Sequence, residues 1–246
     1  MASLYQLKPA FQRVLRPLAN VLARGGISAN QVTLAGLVLS LAMGAVLALN
    51  PAHQWALLAL PPVLLARMAL NALDGMLARE HGMRTALGGL LNELCDVASD
   101  CALTLPFVLV LPQAAAWVVL LTVLAVLAEF AGVVVQALGG SRRYDGPLGK
   151  SDRAFLFGVL ALLLGTGVAP GAWCVMVLAA GCALSLLTLF RRIKLGSMEI
   201  ETASHQSGQS TAPQGHQPSP QGSQPPALSS QPSAQGSQPL AQRAEQ

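Results

Sequence analysis

The sequence predicts an all-α integral membrane protein of six transmembrane helices, preceded by an amphipathic N-terminal interfacial helix. Three observations carry that prediction. The chain of 246 residues is 53% hydrophobic and 11% charged, and its mean hydropathy of +0.53 is too apolar for an ordinary soluble domain. Its apolar stretches reach the roughly 20 residues needed to cross about 30 Å of hydrocarbon. Its cations collect in alternate connections between those stretches, the pattern that orients a multi-pass protein.

The first 26 residues, "MASLYQLKPAFQRVLRPLANVLARGG", lack a continuous apolar region and a small-residue cleavage site, so a removable signal peptide is not expected. They read as an amphipathic helix. Leu7, Phe11, Val14, Leu15 and Leu18 fall near one face, and Lys8, Arg13 and Arg16 are placed to reach lipid phosphates.

Residues 27–195 hold the predicted membrane domain. Apolar segments cover 31–49, 54–73, 86–111, 114–138, 154–169 and 172–190, separated by short breaks bearing Pro, Gly, His or charge. Lys8, Arg13, Arg16 and Arg24 precede the first segment, and Arg79 and Arg84 follow the second. Arg142, Arg143, Lys150 and Arg153 lie between the fourth and fifth, and Arg191, Arg192 and Lys194 follow the sixth. The connections "NPAHQ", "PQAAA" and "GTGVAPGA" carry no Lys or Arg. The bias puts both termini in the cytoplasm, with Arg67, inside the second segment, outside the alternation.

Residues 196–246 turn into a Gln/Ser/Pro/Gly tract with too little to bury, and disorder is expected there. Cys95, Cys101, Cys174 and Cys182 sit in apolar segments without metal-ligand spacing. They read as small buried residues rather than a disulfide frame. No nucleic-acid partner is expected; the partner implied by the composition is the lipid bilayer.

The acids carry the functional signal. An ionised carboxylate near the centre of a span costs about 2.5–3.5 kcal/mol on insertion scales, yet Asp74, Glu93, Asp96, Asp100 and Glu129 all fall in or beside apolar segments. Asn71, Asp74, Gly75 and Ala78 share one helical face, and Gly88, Asn92, Asp96 and Asp100 step by four along another. Two such faces at the cytoplasmic ends of consecutive antiparallel helices can meet and share cations. Carboxylates and amide carbonyls without neighbouring His or Cys suit Mg²⁺, Mn²⁺ or Ca²⁺ rather than zinc. Gly75, Ala78, Gly88 and Gly89 allow close helix packing or close approach of a phosphate-bearing ligand.

The stretch "DGMLAREHGMRTALGGLLNELCD", Asp74 to Asp96, resembles the signature of the CDP-alcohol phosphatidyltransferases, D-x2-D-G-x2-A-R-x8-G-x3-D-x3-D. Asp74, Gly75, Ala78, Arg79 and Gly88 fall on the motif, and its last Asp falls on Asp96. "GGISANQVTLAG" resembles the family's entry into its first span, so the likeness covers roughly residues 1–195. Asn71 and Asn92 stand where the motif has Asp. The arrangement is similar to a bacterial inner-membrane branch of the family with Asn at these positions.

The resemblance implies transfer of a phosphatidyl group from a CDP-linked lipid, CDP-diacylglycerol being the expected donor, to an alcohol acceptor, with release of CMP. It implies Mg²⁺ or Mn²⁺ as cofactor, held by Asn71, Asp74, Asn92 and Asp96, and a general base at Asp96. A second register makes Asp100 the last motif acid and the base. Gly75, Ala78, Arg79 and Gly88 are expected at the donor phosphates, although Arg79 also reads as an orientation anchor. In "GGSRRYDGPLGKSDRAF", Arg142, Arg143, Lys150 and Arg153 are expected to clamp an anionic acceptor, which favours a phosphorylated alcohol such as glycerol 3-phosphate. Glu129 reads either as a partner of one of these cations or as a buried acid, and Glu93 and Asp100 as compensation for the two Asn. The resemblance also implies an inner-membrane location and a homodimer. Two readings from other classes compete: a small transporter or flippase, and a catalytically silent scaffold.

Overall fold

A computed structural model describes residues 8–210 and, among these, the side chains of 11–203. The elements are helical: α1 Lys8–Arg24, α2 Ala29–Leu49, α3 Gln54–Glu80, α4 Ala86–Thr104, α5 Phe107–Val110, α6 Ala115–Ala137, α7 Lys150–Gly165 and α8 Ala172–Ser210, with a short 3-10 turn at Pro112–Ala114. Among the described residues four helical stretches are long and apolar enough to cross a membrane: α2, α3, Pro112–Ala137 and the Ala172–Ala203 part of α8. The other two predicted spans differ for readable reasons. α4 carries three acids, Glu93, Asp96 and Asp100, and α7 is 16 residues long.

Local chemistry sets the helix starts. Ser28 caps α2 reciprocally with Gln31: the Gln31 N–H donates to Ser28 Oγ (3.3 Å) and the Ser28 N–H to Gln31 Oε1 (2.8 Å). Thr85 Oγ accepts the Gly88 N–H at 2.9 Å at the start of α4, and Asp152 accepts the Gly149 N–H at 2.9 Å at the start of α7. The predicted apolar segment 86–111 is broken after Thr104, where Pro106 has no N–H to continue the ladder and begins the separate turn α5.

α2 packs on α3 and α4, α7 on α3, α6 on α8, and α1 on α3. The main core gathers Leu47, Leu60, Leu64, Phe107, Leu121, Phe157, Leu160 and Leu178, with the Phe107 and Phe157 rings edge-on at 5.0 Å. Gly44 lets α2 meet the backbone of α4 at Ala102, where any Cβ would collide with the Ala102 carbonyl. A smaller cluster joins Ala19 of α1 to Leu73, Met76 and Leu77 of α3, so α1 braces the end of α3 that bears Asp74.

α1 is apolar on two sides. Leu15, Ala19 and Leu22 face α3, whereas Phe11, Val14, Leu18 and Val21 are exposed. Arg16, expected at lipid phosphates, instead forms a bidentate pair with Glu80 (3.0 and 3.1 Å). Leu7 lies outside the described residues.

At the other end, α8 continues past residue 195, the expected end of the membrane domain, to Ser210. Its extension is tied down by Glu199, which accepts the Ser141 N–H (3.0 Å), the Ser141 hydroxyl (2.9 Å) and Arg143 Nη1 (2.9 Å). Composition averages over a tract and does not register one such anchor. Residues 211–246 of the expected tail lie outside the described residues.

Candidate active site

α3 and α4 bring the motif residues together. Asp96 on α4 is the meeting point: its Oδ1 accepts the Asn71 amide N–H at 3.0 Å, lies 3.4 Å from Arg67 Nη2 and 2.5 Å from Lys150 Nζ. Arg67 also donates to the Asp96 carbonyl at 3.1 Å and reaches Asp100 Oδ1 at 3.1 Å. Asp74 is buried, and its Oδ2 accepts the Thr33 hydroxyl of α2 at 2.9 Å. Thr33 therefore orients the motif carboxylate from a third helix. Asn92, one turn before Asp96, is half-buried.

The glycines act through close approach. The Arg79 guanidinium folds over Gly75, where a Cβ would stand about 3.0 Å from Nη2, and Gly88 sits against Asn30 Oδ1 and Thr85 Oγ. Ala78 is half-buried on the same face of α3, and Arg79 is exposed.

The four cations expected at the acceptor divide into two groups. Lys150 and Arg153, with Arg67, line a narrow cavity between α3, α4, α6 and α7, whose wall also holds Asp100, Glu129, Thr122 and apolar side chains. Arg153 bridges Asp100 Oδ2 (3.5 Å) and Glu129 Oε1 (3.1 Å).

Arg142 and Arg143 are committed elsewhere. Arg142 holds Glu93 through two bonds (3.0 and 2.7 Å) and reaches Glu129 Oε2 at 3.3 Å, with Tyr144 stacked 5.3 Å from its guanidinium carbon. Burial opposes its charge, but the bonds to Glu93 outweigh that and raise its pKa above the ordinary arginine value. Arg143 pairs with Asp145 (2.7 Å) and Glu199 (2.9 Å). Glu93, expected to compensate near Asn92, is thus the partner of Arg142.

Glu129 is the hub of a buried ion network. Three guanidiniums converge on it: Arg142 (3.3 Å), Arg153 (3.1 Å) and Arg192 (3.4 Å). Arg192 is 1% exposed and also donates to the Ala128 carbonyl. Sequence reasoning grouped it with the orientation signals, since one more Arg after an apolar segment looks like an anchor. Its spacing offered one signal: Thr188 and Ser185, four and seven residues earlier, are both buried and give α8 a polar stripe.

Gly132 makes room for Arg142, because a Cβ there would overlap the guanidinium. Gly132→Val is expected to expel Arg142 from Glu93 and Glu129 and to destabilise the fold by about 1–3 kcal/mol, read as a lower thermal unfolding midpoint in detergent.

A divalent cation fits the motif residues by donor chemistry. Asp74 and Asp96 contribute carboxylates, Asn71 and Asn92 amide carbonyls, and an all-oxygen set suits Mg²⁺ or Mn²⁺. Among the described residues no group of three or more His, Cys, Asp or Glu converges on one point.

Comparison with known proteins places this geometry. Residues 27–187 match the family model described as CDP-alcohol phosphatidyltransferase. Over 160 residues, 65% of this chain and 79% of the relative, the sequence is 50% identical to the inner membrane protein YnbA of Escherichia coli. It is 35% identical over 105 residues to a phosphatidylinositol phosphate synthase of Mycolicibacterium smegmatis, covering 42% of this chain and 45% of that protein. The fold is similar to that of the phosphatidylinositol phosphate synthase PgsA1 of Mycobacterium tuberculosis. The PgsA1 structure with CDP-DAG bound aligns at a TM-score of 0.63 and 22% identity, over 77% of this chain and 94% of that one. The complex with manganese and citrate aligns at 0.62 and 22%, over 73% and 87%. The motif on α3 and α4, the family match across residues 27–187 and the shared fold identify the chain as a member of the CDP-alcohol phosphatidyltransferase family, a transferase of that type.

Proposed function

We propose that this chain transfers a phosphatidyl group from CDP-diacylglycerol to a phosphorylated alcohol, such as glycerol 3-phosphate, and releases CMP. The observation that carries the reading is Lys150, which touches Asp96 and lines the cavity shared with Arg67 and Arg153. One side chain thereby links the motif acid to a pocket whose wall carries three cations, Arg67, Lys150 and Arg153. The CDP-DAG held by PgsA1 supports the donor. The manganese in its other complex supports a divalent cofactor. The name of the Escherichia coli relative supports an inner-membrane location. The cation pattern supports six spans with both termini cytoplasmic; the homodimer implied by the family belongs to the same reading.

A bound Mg²⁺ or Mn²⁺ supplies charge neutralisation of the pyrophosphate and polarisation of the phosphorus under attack. The protein's own residues do the rest. Asp96 takes the acceptor hydroxyl proton: its contacts fall on Oδ1, leaving Oδ2 as the basic atom. Asp100 is the poorer base, because Arg67 takes its Oδ1 and Arg153 its Oδ2, so that both oxygens are already engaged. Thr33 keeps Asp74 in place. Of the residues expected at the donor phosphates, Gly75 makes room for the Arg79 guanidinium, which meets them, whereas Gly88 makes room for Asn30 and Thr85. Lys150 and Arg153 receive the acceptor phosphate, while Arg142 and Arg143 act from outside the pocket, holding the 138–149 connection to Glu93 and Glu199.

The test is CMP release from CDP-diacylglycerol by the purified chain, with Mg²⁺ or Mn²⁺ and a panel of phosphorylated and unphosphorylated alcohols. Release is expected with a phosphorylated acceptor and a divalent cation, and is expected to stop with EDTA. A folded protein that releases no CMP with any acceptor sinks the enzyme in favour of the silent scaffold.

A further inference from the structure

α3 carries one half of the motif and α4 the other, yet α3 packs on α1, α2 and α7 and α4 on α2 and α6, so little backbone contact joins them. Side chains bridge the gap. Among the described residues the polar contacts between the two helices are made by Arg67 and, one turn later, Asn71. Both reach Asp96. Arg67 lies outside the cation pattern of the loops and outside the family motif, and its side chain is 5% exposed.

One nitrogen makes the grip. Arg67 Nη2 donates to the Asp96 carbonyl at 3.1 Å, approaches Asp96 Oδ1 at 3.4 Å and pairs with Asp100 Oδ1 at 3.1 Å. Its Nε is buried without a hydrogen-bond partner among the described residues. Native proteins rarely leave such a donor unpaired, so the guanidinium is oriented by what Nη2 holds. Holding a residue by its main chain and its carboxylate together fixes the side-chain torsions between them. The Asn71 amide, on the same Oδ1 at 3.0 Å, adds a third point. Oδ2 of Asp96 stays outside this grip.

We propose that Arg67 is a positioning residue for phosphatidyl transfer: it spans the gap between α3 and α4 and holds Asp96 in the orientation that presents Oδ2 to the acceptor hydroxyl. The inference rests on the transferase reading for the identity of the base; the tie between the helices stands on the side chains themselves. A base displaced by about 1 Å loses about a hundred-fold in rate. Acceptor binding is not lost with it, because the acceptor phosphate is assigned to Lys150 and Arg153.

The experiment compares the full chain with Arg67→Met and Arg67→Lys in nanodiscs, by CMP release and by hydrogen exchange. Release is followed at saturating CDP-diacylglycerol and Mn²⁺ against glycerol 3-phosphate, or whichever phosphorylated alcohol of the panel supports it. Arg67→Met keeps an apolar stem and removes the donors. Its kcat is expected to fall about a hundred-fold, with the acceptor KM within about two-fold of wild type. Its α4 amides around Asp96 are expected to exchange faster, while α6 and α8 keep their protection. Arg67→Lys is shorter but puts three donors on one nitrogen, and is expected to recover kcat to about ten-fold below wild type. A raised acceptor KM with kcat kept makes Arg67 a phosphate ligand and overturns the proposal. Unchanged exchange along α4 in Arg67→Met overturns it as well. Should Arg67→Met not fold, Arg67→Lys decides alone: a lower kcat at unchanged KM supports the proposal, and an unchanged kcat or a raised KM overturns it. A wild type that releases no CMP, with α4 loosened in Arg67→Met, keeps the tie and removes the transferase. CMP release with kcat unchanged in Arg67→Met does the reverse.

Discussion

Asp96→Asn is expected to lower CMP release by about a thousand-fold, within the range general-base removal produces, while the protein still folds. Asparagine keeps the shape and can still accept from Asn71 and Lys150, but it takes no proton and contributes no charge to a metal. Asp100→Asn is expected to lower the rate by only about ten-fold, because Arg67 and Arg153 already occupy both of its oxygens. The comparison of kcat between the two variants, at saturating acceptor and Mn²⁺, checks the assignment. A larger loss at Asp100 would move the base to that residue and select the second register of the motif.

Glu129→Leu is expected to destabilise the fold by about 3–5 kcal/mol, the range for removing one partner of a buried ion pair. The reason is geometric. Arg142, Arg153 and Arg192 all converge on this carboxylate, with side-chain exposures of 11%, 5% and 2%. Removing it leaves three buried guanidiniums short of a partner, although Arg142 keeps Glu93 and Arg153 keeps Asp100. Among the described residues Arg192 then has only carbonyl acceptors left, those of Ala128 and Asp145. Glu129→Leu combined with Arg192→Leu should therefore recover part of the lost stability, read as thermal midpoints in detergent. An equal loss in the double variant would show that Arg192 is not the side chain stranded by the change.

The helices were legible where periodicity and caps agree. α2 was expected at 31–49 and α6 at 114–138, against Ala29–Leu49 and Ala115–Ala137, because both are continuous apolar runs whose ends carry ordinary stop signals. α3 was cut short at residue 73, since the charges of Asp74, Arg79 and Glu80 look like the end of a span. The helix runs on to Glu80 because those groups find partners across the bundle: Asp74 in Thr33 and Glu80 in Arg16.

The site was legible to the same extent. The order of residues in one chain determined which carboxylates and amides share a helical face, since i, i+3 and i+4 positions align whatever surrounds them. It determined the family through the gap-free D-G-x2-A-R-x8-G stretch, and the cluster's oxygen chemistry through Asn71 and Asn92. Which cation meets which acid belongs to the tertiary structure alone. Arg142 and Arg143 are neighbours in sequence, yet one turns to Glu93 and Glu129 and the other to Glu199. Arg67 and Arg192 looked like an exception and an anchor, and both are buried in ion pairs. Ion pairing inside a bundle depends on distances between helices remote in sequence, and a low-dielectric interior makes each such distance decisive.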